Sequence, residues 1–361
     1  MNRNTLVLIN SIYLLVSCNY DSKEDKGFPF EVVEFESNYT KDVNFISDTT
    51  YIPLEFCEDC IIGDISKVIK VDDGFIISDK TISQQVFKFD DSGNFLFSIG
   101  EKGVGLGNYV LPFDLSKIPG TNKLAILDQN QSKILYYDID TGDFIEEWRI
   151  NFQAKSFYYL DSNTIAAHLD GNFMATEQDS MAVLLDLTKN IFIYKGVVDF
   201  PKTDHNATGG DFHDGTEGVL FTKSLNDTVY SVTPKGFSPK YVFDFGDKTV
   251  PDAVKKLPMT LMFEELMKSL PYYHNGNVIE NEKYLFYNWW AEDEEENFGV
   301  YNKKTKENIS LRGDKVIFKR PFYVTDDYML CYLINYDYER LGAEPNFGKS
   351  ENQIIIKVNF D

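Results

Sequence analysis

The chain has 361 residues, and 57 Asp and Glu against 35 Lys and Arg give it a formal net charge of −22. A charge of this sign repels phosphate backbones and anionic lipid, and no local run of Lys or Arg offsets it, so the composition excludes a nucleic-acid-binding protein. The 29 Phe and 22 Tyr favour an all-β chain of short aromatic and β-branched strands.

Residues 1–17 have the pattern of a secretory signal peptide. Arg3 precedes an apolar run at positions 6–16, which is too short to span a bilayer, and the small residue Ser17 follows the run. We therefore expect this segment to be removed from the mature protein.

Residues 15–18 resemble the lipobox of bacterial lipoproteins, in which the cysteine is acylated and becomes the new N-terminus. This resemblance implies lipidation at Cys18, with 18–45 as a lipidated tether and lead-in. We expect an outer-membrane lipoprotein that faces the periplasm or the cell surface and contacts the membrane only through its lipid. A buried strand that contains a cysteine by chance is the alternative.

Cys57 and Cys60 have the spacing of a redox motif or of half a zinc site. The chain offers neither the second ligand pair nor the βαβ setting that these sites need, so no metal is predicted here. In an oxidising compartment a local disulfide is expected, and two free thiols are the alternative.

Three aspartates, Asp90, Asp138 and Asp186, recur at a spacing of 48 residues. Each ends a short apolar strand and begins a turn, and a fixed period of this length predicts a repeated supersecondary unit. Over residues 65–100, four short strand-like runs alternate with turn residues. Four antiparallel strands per unit are typical of a propeller blade.

Six such units can be placed along the chain, with one helical insertion near 252–270. The sixth unit lacks a strand, which the run at 50–55 can supply by closing the ring from the N-terminal side and removing an exposed sheet edge. The predicted fold is all-β, a six-bladed β-propeller of four-stranded antiparallel blades that occupies residues 46–361 as one domain.

The glycine-rich connection at 100–107 is followed by Pro112 and another strand instead of a helix, which argues against a phosphate-binding loop. Together with Ser98 and Gly100, it resembles the linker between NHL-type propeller repeats. With the lipobox, the chain is similar to the six-bladed β-propeller lipoproteins of Bacteroidetes, which are related in fold to NHL and TolB-like propellers. The resemblance implies a fold and an envelope location, and it brings neither catalytic residues nor a cofactor.

One candidate site is a glycine-containing loop with His205 and His213. Asp204, Asp211 and Asp214 lie in the same stretch, and such a group can hold a metal or act as an acid–base pair. The spacing fixes no geometry, so a surface loop without a chemical role is the alternative.

A second candidate site contains Tyr287, Trp289 and Trp290. Adjacent tryptophans on a strand point to opposite faces, so one ring can be exposed and stack on a sugar. Packing of both rings between blades is the alternative.

The insertion carries an apolar stripe at helical spacing between Pro258 and Pro271. The stripe consists of Met259, Met262, Phe263, Leu266, Met267 and Leu270. We expect this helix to bury the stripe on the propeller, across one mouth, where it either shapes a pocket or acts as a structural plug.

Three functions fit these patterns. The first is a noncatalytic, monomeric binding module for a protein or carbohydrate partner. The second is an enzyme, a lyase or hydrolase, with His205 or His213 as an acid–base group, and the third is a structural component of an envelope complex. The fold alone does not choose among them.

Overall fold

The structure is a computed structural model, and it describes residues 30–35, 39, 45–169, 182–189, 191–195, 210–223, 225–291, 296–313, 316, 318, 320–333 and 352–361. Within these ranges the chain forms six sheets of four or five strands and one two-stranded sheet. The first strand of each sheet lies beside the first strand of the next, and the sixth returns to the first. This closed ring confirms the predicted six-bladed propeller.

Each blade has four antiparallel strands, listed here from the axis outwards, and in the first five blades these strands are consecutive in the chain. Blade one contains β3 (Lys67–Val71), β4 (Gly74–Asp79), β5 (Gln85–Asp90) and β6 (Phe95–Ser98), and blade two contains β9 (Asp114–Lys117), β10 (Lys123–Asp128), β11 (Lys133–Asp138) and β12 (Phe144–Arg149). Blade three contains β13 (Ala154–Tyr159), β14 (Thr164–Leu169), β15 (Ala182–Asp186) and β16 (Ile191–Lys195). The short strands β7 (Glu101–Lys102) and β8 (Asn108–Tyr109) pair in the connection between the first two blades.

The second half of the ring follows the same plan. Blade four contains β17 (Gly210–Gly215), β18 (Gly218–Lys223), β19 (Thr228–Thr233) and β20 (Gly236–Asp244), and blade five contains β21 (Tyr273–Glu280), β22 (Tyr284–Trp290), β23 (Glu296–Asn302) and β24 (Asn308–Leu311). Blade six contains β25 (Pro321–Val324), β26 (Tyr328–Leu333), β27 (Ile354–Phe360) and β2 (Ile46–Pro53).

The periodic aspartates cap the turn between the third and fourth strands of the first three blades. The Asp90 carboxylate accepts hydrogen bonds from the backbone N–H groups of Ser92 and Asn94 at 2.8 and 2.9 Å. Asp138 and Asp186 accept equivalent bonds from residues two or three positions further on. An Asp side chain that bonds its own turn is a local device, which explains why the period is visible in the sequence.

The ring is closed by strands from both ends of the chain. β2 pairs antiparallel with β27, with Tyr51 opposite Ile356, and therefore forms the outermost strand of blade six. The predicted closure by the N-terminal run is confirmed. A further strand, β1 (Glu31–Glu34), lies parallel to β20 at the outer edge of blade four. It belongs to the stretch interpreted as a lead-in, and the sequence pattern did not indicate its pairing.

The insertion between blades four and five forms the helices α1 (Asp252–Lys255) and α2 (Met259–Ser269). Met262 and Leu266 are buried against Leu225 and Val250, whereas Phe263 and Met267 are 44% and 58% exposed. The expectation of a single buried stripe was wrong, because Phe263 and Met267 lie beyond the side of α2 that packs against Leu225 and Val250. No helix in the described ranges is long and apolar enough to cross a bilayer.

Candidate functional site

The innermost strands of the six blades surround a cavity of about 890 Å³ on the propeller axis. Its size falls within the roughly 300–1,000 Å³ range of small-ligand pockets. All six blades contribute to its lining, and neither helix of the insertion does. The expectation that α2 shapes the pocket was therefore wrong for this cavity.

An ion-pair cluster lies in the wall formed by blades one, two and four, with Lys67 and Asp114 largely buried and Asp211 partly exposed. Lys67 Nζ lies 2.7 Å from Asp114 Oδ1 and 3.9 Å from Asp211 Oδ1. Asp114 also accepts hydrogen bonds from the backbone N–H groups of Leu115 and Phe157, both at 2.8 Å. One carboxylate thus ties the first strand of blade two to those of blades one and three.

The charges of Lys67, Asp114 and Asp211 shift one another's pKa values. Burial disfavours the Lys67 ammonium, but Asp114 and Asp211 outweigh that effect and raise its pKa, so Lys67 stays cationic. Burial also opposes ionisation of Asp211, yet Lys67 and His213 lower its pKa below the ordinary value. Burial raises the pKa of Asp114, and the Lys67 ammonium offsets only part of this increase.

His213 lies on the innermost strand β17, and its side chain lines the cavity. The interpretation of this stretch as a loop was wrong from residue 210 onwards. His213 Nε2 donates a hydrogen bond to the Gly276 carbonyl oxygen at 3.1 Å. His205 lies outside the described residues, as does Asp204. Among the described residues no group of three or more His, Cys, Asp or Glu is arranged to hold a metal ion.

Tyr158 also faces the cavity, and its hydroxyl donates a hydrogen bond to Asp214. Burial raises the pKa of Tyr158 far above its ordinary value, and the Asp214 charge raises it further. The phenol therefore stays protonated at neutral pH, which makes it a hydrogen-bonding group and a poor general base.

Two further cations occupy other parts of the wall. Arg320 Nη2 bonds Glu296 Oε2 at 2.9 Å and links blades six and five. Lys80 Nζ lies over the ring of Phe113, 4.8 Å from its centroid. The cavity is therefore lined by charged groups of both signs and by aromatic faces.

The second candidate group lies elsewhere. Tyr287 and Trp289 are 0% and 1% exposed, and neither lines the cavity. The Trp289 ring packs edge-on against Phe35, with centroids 4.3 Å apart, and the Tyr287 hydroxyl donates to Asn308 Oδ1 at 2.8 Å. Trp290 is half-buried at the end of β22. Tyr287 and Trp289 therefore pack between blades, as the alternative interpretation stated.

Cys57 and Cys60 are joined by a disulfide in the connection between β2 and β3. Cys60 is buried under blade one. Cys331 is buried within β26, and burial raises the pKa of its thiol well above the ordinary value. None of these three cysteines lines the cavity.

A pattern in the sequence marks two of the cavity residues, although our sequence predictions did not include them. Lys67 and Asp114 each begin the first strand of their unit and stand 47 residues apart, close to the period of the capping aspartates. Charged residues that start innermost strands must face the axis or the blade interface. Comparison of these equivalent positions would have selected Lys67 and Asp114.

Comparisons with known proteins agree with this architecture. A crystal structure of a Bacteroides fragilis protein described as exported is similar to this chain, with 19% identity and a TM-score of 0.75, and the match covers 91% of this chain and 99% of that one. A member of the DUF4221 family from Bacteroides vulgatus is 12% identical with a TM-score of 0.58, and the match covers 89% and 99% of the two chains.

Both similar structures come from Bacteroides species, which confirms the predicted resemblance to propellers of Bacteroidetes. No curated protein sequence matches this chain. A family described as "Domain of unknown function (DUF4934)" matches residues 30–358. The match spans the whole ring from β1 to β27, and the chain therefore belongs to this family.

Proposed function

We propose that this protein is a noncatalytic binding module that holds a small ligand in its central cavity. The observation that carries this proposal is a cavity of about 890 Å³ whose walls come from all six blades. A pocket of this size takes a ligand of a few rings, whereas a protein partner needs a much broader surface. A glycan or another small molecule is therefore favoured over a protein.

Several charged groups in the wall are already held by a partner. Lys67 is shared by Asp114 and Asp211, Arg320 is held by Glu296, and Asp214 accepts from Tyr158. Groups fixed in this way are preorganised to receive a polar ligand without rearrangement. This arrangement supports binding more directly than it supports proton transfer.

An enzyme is the second candidate, because His213, Asp214 and Tyr158 line the same cavity. A tyrosine kept protonated can act as a general acid beside a histidine base. Mass spectrometry of a bound saccharide after prolonged incubation distinguishes the two functions. An unchanged mass supports the binding module, and cleavage or loss of water supports the enzyme.

Filling the cavity is expected to abolish binding. Ile69 is half-buried on β3 and lines the cavity, so Ile69→Trp places a large ring in the ligand's space. On an array of neutral and acidic glycans, the full-length protein in detergent should retain at least one class of saccharide, and the variant should bind it at least tenfold more weakly.

Leu96→Trp is the matched control, because Leu96 is 43% exposed on β6, the outer strand of the same blade. It should bind like the unmodified protein. Equal binding by Ile69→Trp and the unmodified protein, with both folded by circular dichroism, would place the ligand outside the cavity and contradict the proposal.

We also propose that the propeller is tethered to the outer membrane through a lipid on Cys18. The lipobox pattern at 15–18 supports this location, as does the similar Bacteroides fragilis protein described as exported. Cys18 lies outside the described residues.

Replacing Cys18 with Ser is expected to remove lipidation. When the protein is expressed in a bacterium with lipoprotein processing enzymes, the unmodified chain should incorporate labelled palmitate and sediment with membranes. The variant should do neither. Palmitate incorporation by Cys18→Ser, or a mature N-terminus without fatty acid in the unmodified protein, would exclude this tether.

A further inference from the structure

The charge of the cavity lining is opposite to that of the chain. Over the whole sequence, acidic residues outnumber Lys and Arg by 57 to 35. Among the described residues that line the cavity, cations outnumber carboxylates by six to four. The cations are Lys67, Lys70, Lys80, Lys117, Lys155 and Arg320, and the carboxylates are Asp114, Asp211, Asp214 and Glu296.

Several of these cations have acidic partners. Lys67 and Arg320 belong to the ion pairs already described, and Lys70 and Lys117 lie 3.0 and 4.0 Å from Asp91 and Asp72. These pairs hold the wall together. A ligand that met only these groups would face little excess charge.

Lys80 differs from them. The carboxylate of its neighbour Asp79 accepts five backbone N–H bonds, from residues 63, 64, 81, 82 and 83, and so is committed to the turn. Asp211 is near enough for the charge of Lys80 to help lower its pKa, but no carboxylate in the described part of the chain forms an ion pair with Lys80 in the way that Asp114 does with Lys67. Its ammonium rests over Phe113, where a cation–π contact holds it without neutralising its charge.

A ligand that covers Lys80 removes water from its ammonium. The hydroxyl oxygens of a neutral ligand replace only part of that solvation, whereas an anionic group replaces it with a stronger hydrogen bond between opposite charges. The acidic exterior repels anions at long range, but charges are screened beyond about 8 Å at physiological ionic strength. The local field within the cavity therefore decides selectivity.

The groups beside Lys80 further restrict the chemical class of the ligand. Phe113 offers an aromatic edge or face beside the ammonium. The Asp211 side chain is 44% exposed and can accept hydrogen bonds from ligand hydroxyl groups. An ammonium, a ring and a carboxylate acceptor together suit a sugar that carries both hydroxyls and a negative charge.

We propose that the cavity binds an anionic saccharide, with its carboxylate or sulfate on Lys80. This inference rests on the proposed function. Isothermal titration of the full-length protein in detergent compares three probes, namely trigalacturonate, a sulfated galactotriose and neutral galactotriose. At least one acidic probe should bind tenfold or more tightly than neutral galactotriose, and comparison of the two acidic probes shows whether carboxylate or sulfate is preferred.

Lys80→Ala should weaken binding of the preferred acidic probe about tenfold and change galactotriose binding less than twofold. Lys80→Arg should retain most of the affinity, because the guanidinium keeps the charge and the aromatic contact. Lys189→Ala is the control, since Lys189 lies on an exposed turn paired with Asp186, and it should leave all three affinities unchanged.

Two outcomes would overturn this inference. One is neutral galactotriose binding as tightly as both acidic probes, and the other is Lys80→Ala binding the acidic probe as the unmodified protein does. In either case, loss of array binding in Ile69→Trp would still support a cavity-binding module. The two proposals can therefore fail separately.

Discussion

Replacing Glu280 with Gln is expected to lower the free energy of unfolding by about 3 kcal/mol at pH 7, because it leaves two mostly buried ammonium groups without their counter-charge. Glu280 ends β21, and its side chain is 0% exposed. It bonds Lys240 Nζ at 2.5 Å and Lys303 Nζ at 2.6 Å. It also accepts from the Tyr241 hydroxyl at 2.6 Å, so it joins blades four and five. Urea titration followed by circular dichroism measures the change.

Glu280 also makes the free energy of unfolding depend on pH. Burial disfavours its carboxylate, but hydrogen bonds from Lys240, Lys303 and Tyr241 outweigh this and lower the pKa of Glu280 from 4.5 to about 2. Because the pKa of Glu280 is lower in the folded than in the unfolded protein, its carboxylate stabilises the fold at pH values above 4.5. This contribution is lost as the pH falls from 4.5 towards 2. The stability difference between the unmodified protein and Glu280→Gln should therefore shrink at pH 3.

Glu282→Gln is the matched control for Glu280→Gln. Glu282 lies two residues further on, in an exposed turn, and its replacement should change stability by less than about 0.5 kcal/mol. A difference between the unmodified protein and Glu280→Gln that stays constant from pH 7 to pH 3 would show that Glu280 is not held as a charged, paired group.

Replacing Trp289 with Ala is expected to cost about 3–5 kcal/mol of stability, the range found when a buried Trp is truncated. Trp289 is 1% exposed and contacts Phe35 and Tyr272, with ring centroids 4.3 and 5.2 Å apart. Because Phe35 directly follows β1, the variant should also loosen β1 from blade four. Thermal and urea unfolding measure the loss.

The neighbouring tryptophan provides the comparison. Trp290 is half-buried on the opposite face of β22, so Trp290→Ala should cost about 1 kcal/mol. At a temperature where Trp289→Ala remains folded, its affinity for the preferred acidic saccharide should match that of the unmodified protein. A selective loss of saccharide binding with little loss of stability would restore the hypothesis that Trp289 stacks on the ligand.

The parts of the fold that could be predicted depend on local chemistry. Asp90, Asp138 and Asp186 each cap a turn with their own side chain. The repeat is therefore visible in the sequence, because each cap involves residues that are close to one another in the chain. The N-terminal closing strand followed from counting strands, since the sixth unit needed one more. Both features depend on residues that are close in sequence or on the arithmetic of the repeat.

The missed features depend on contacts between distant residues. β1 pairs in parallel with β20, some 210 residues away, and no turn signal marks such a partner. The apolar residues of α2 keep helical spacing along one stripe, yet Met262 and Leu266 are buried whereas Phe263 and Met267 are exposed. Periodicity identifies an apolar face but does not show how much of it a neighbour covers.

The site was predicted only in part, for the same reason. His213, Asp211 and Asp214 were selected as candidates, but their placement on an innermost strand was not. Lys67 and Asp114 stand 47 residues apart in the sequence. In the structure Lys67 Nζ lies 2.7 Å from Asp114 Oδ1, because adjacent blades bring equivalent positions together. The sequence did not show which of Trp289 and Trp290 is exposed, because the distant Phe35 helps to bury Trp289.

A crystal structure of the protein with the acidic probe that binds more tightly tests the central claim most directly. The account predicts saccharide density on the propeller axis, with the carboxylate or sulfate of the ligand within hydrogen-bonding distance of Lys80 Nζ and a sugar ring beside Phe113. Density confined to the outer strands or to the turns capped by Asp90, Asp138 and Asp186, with the central cavity filled only by water, would contradict it.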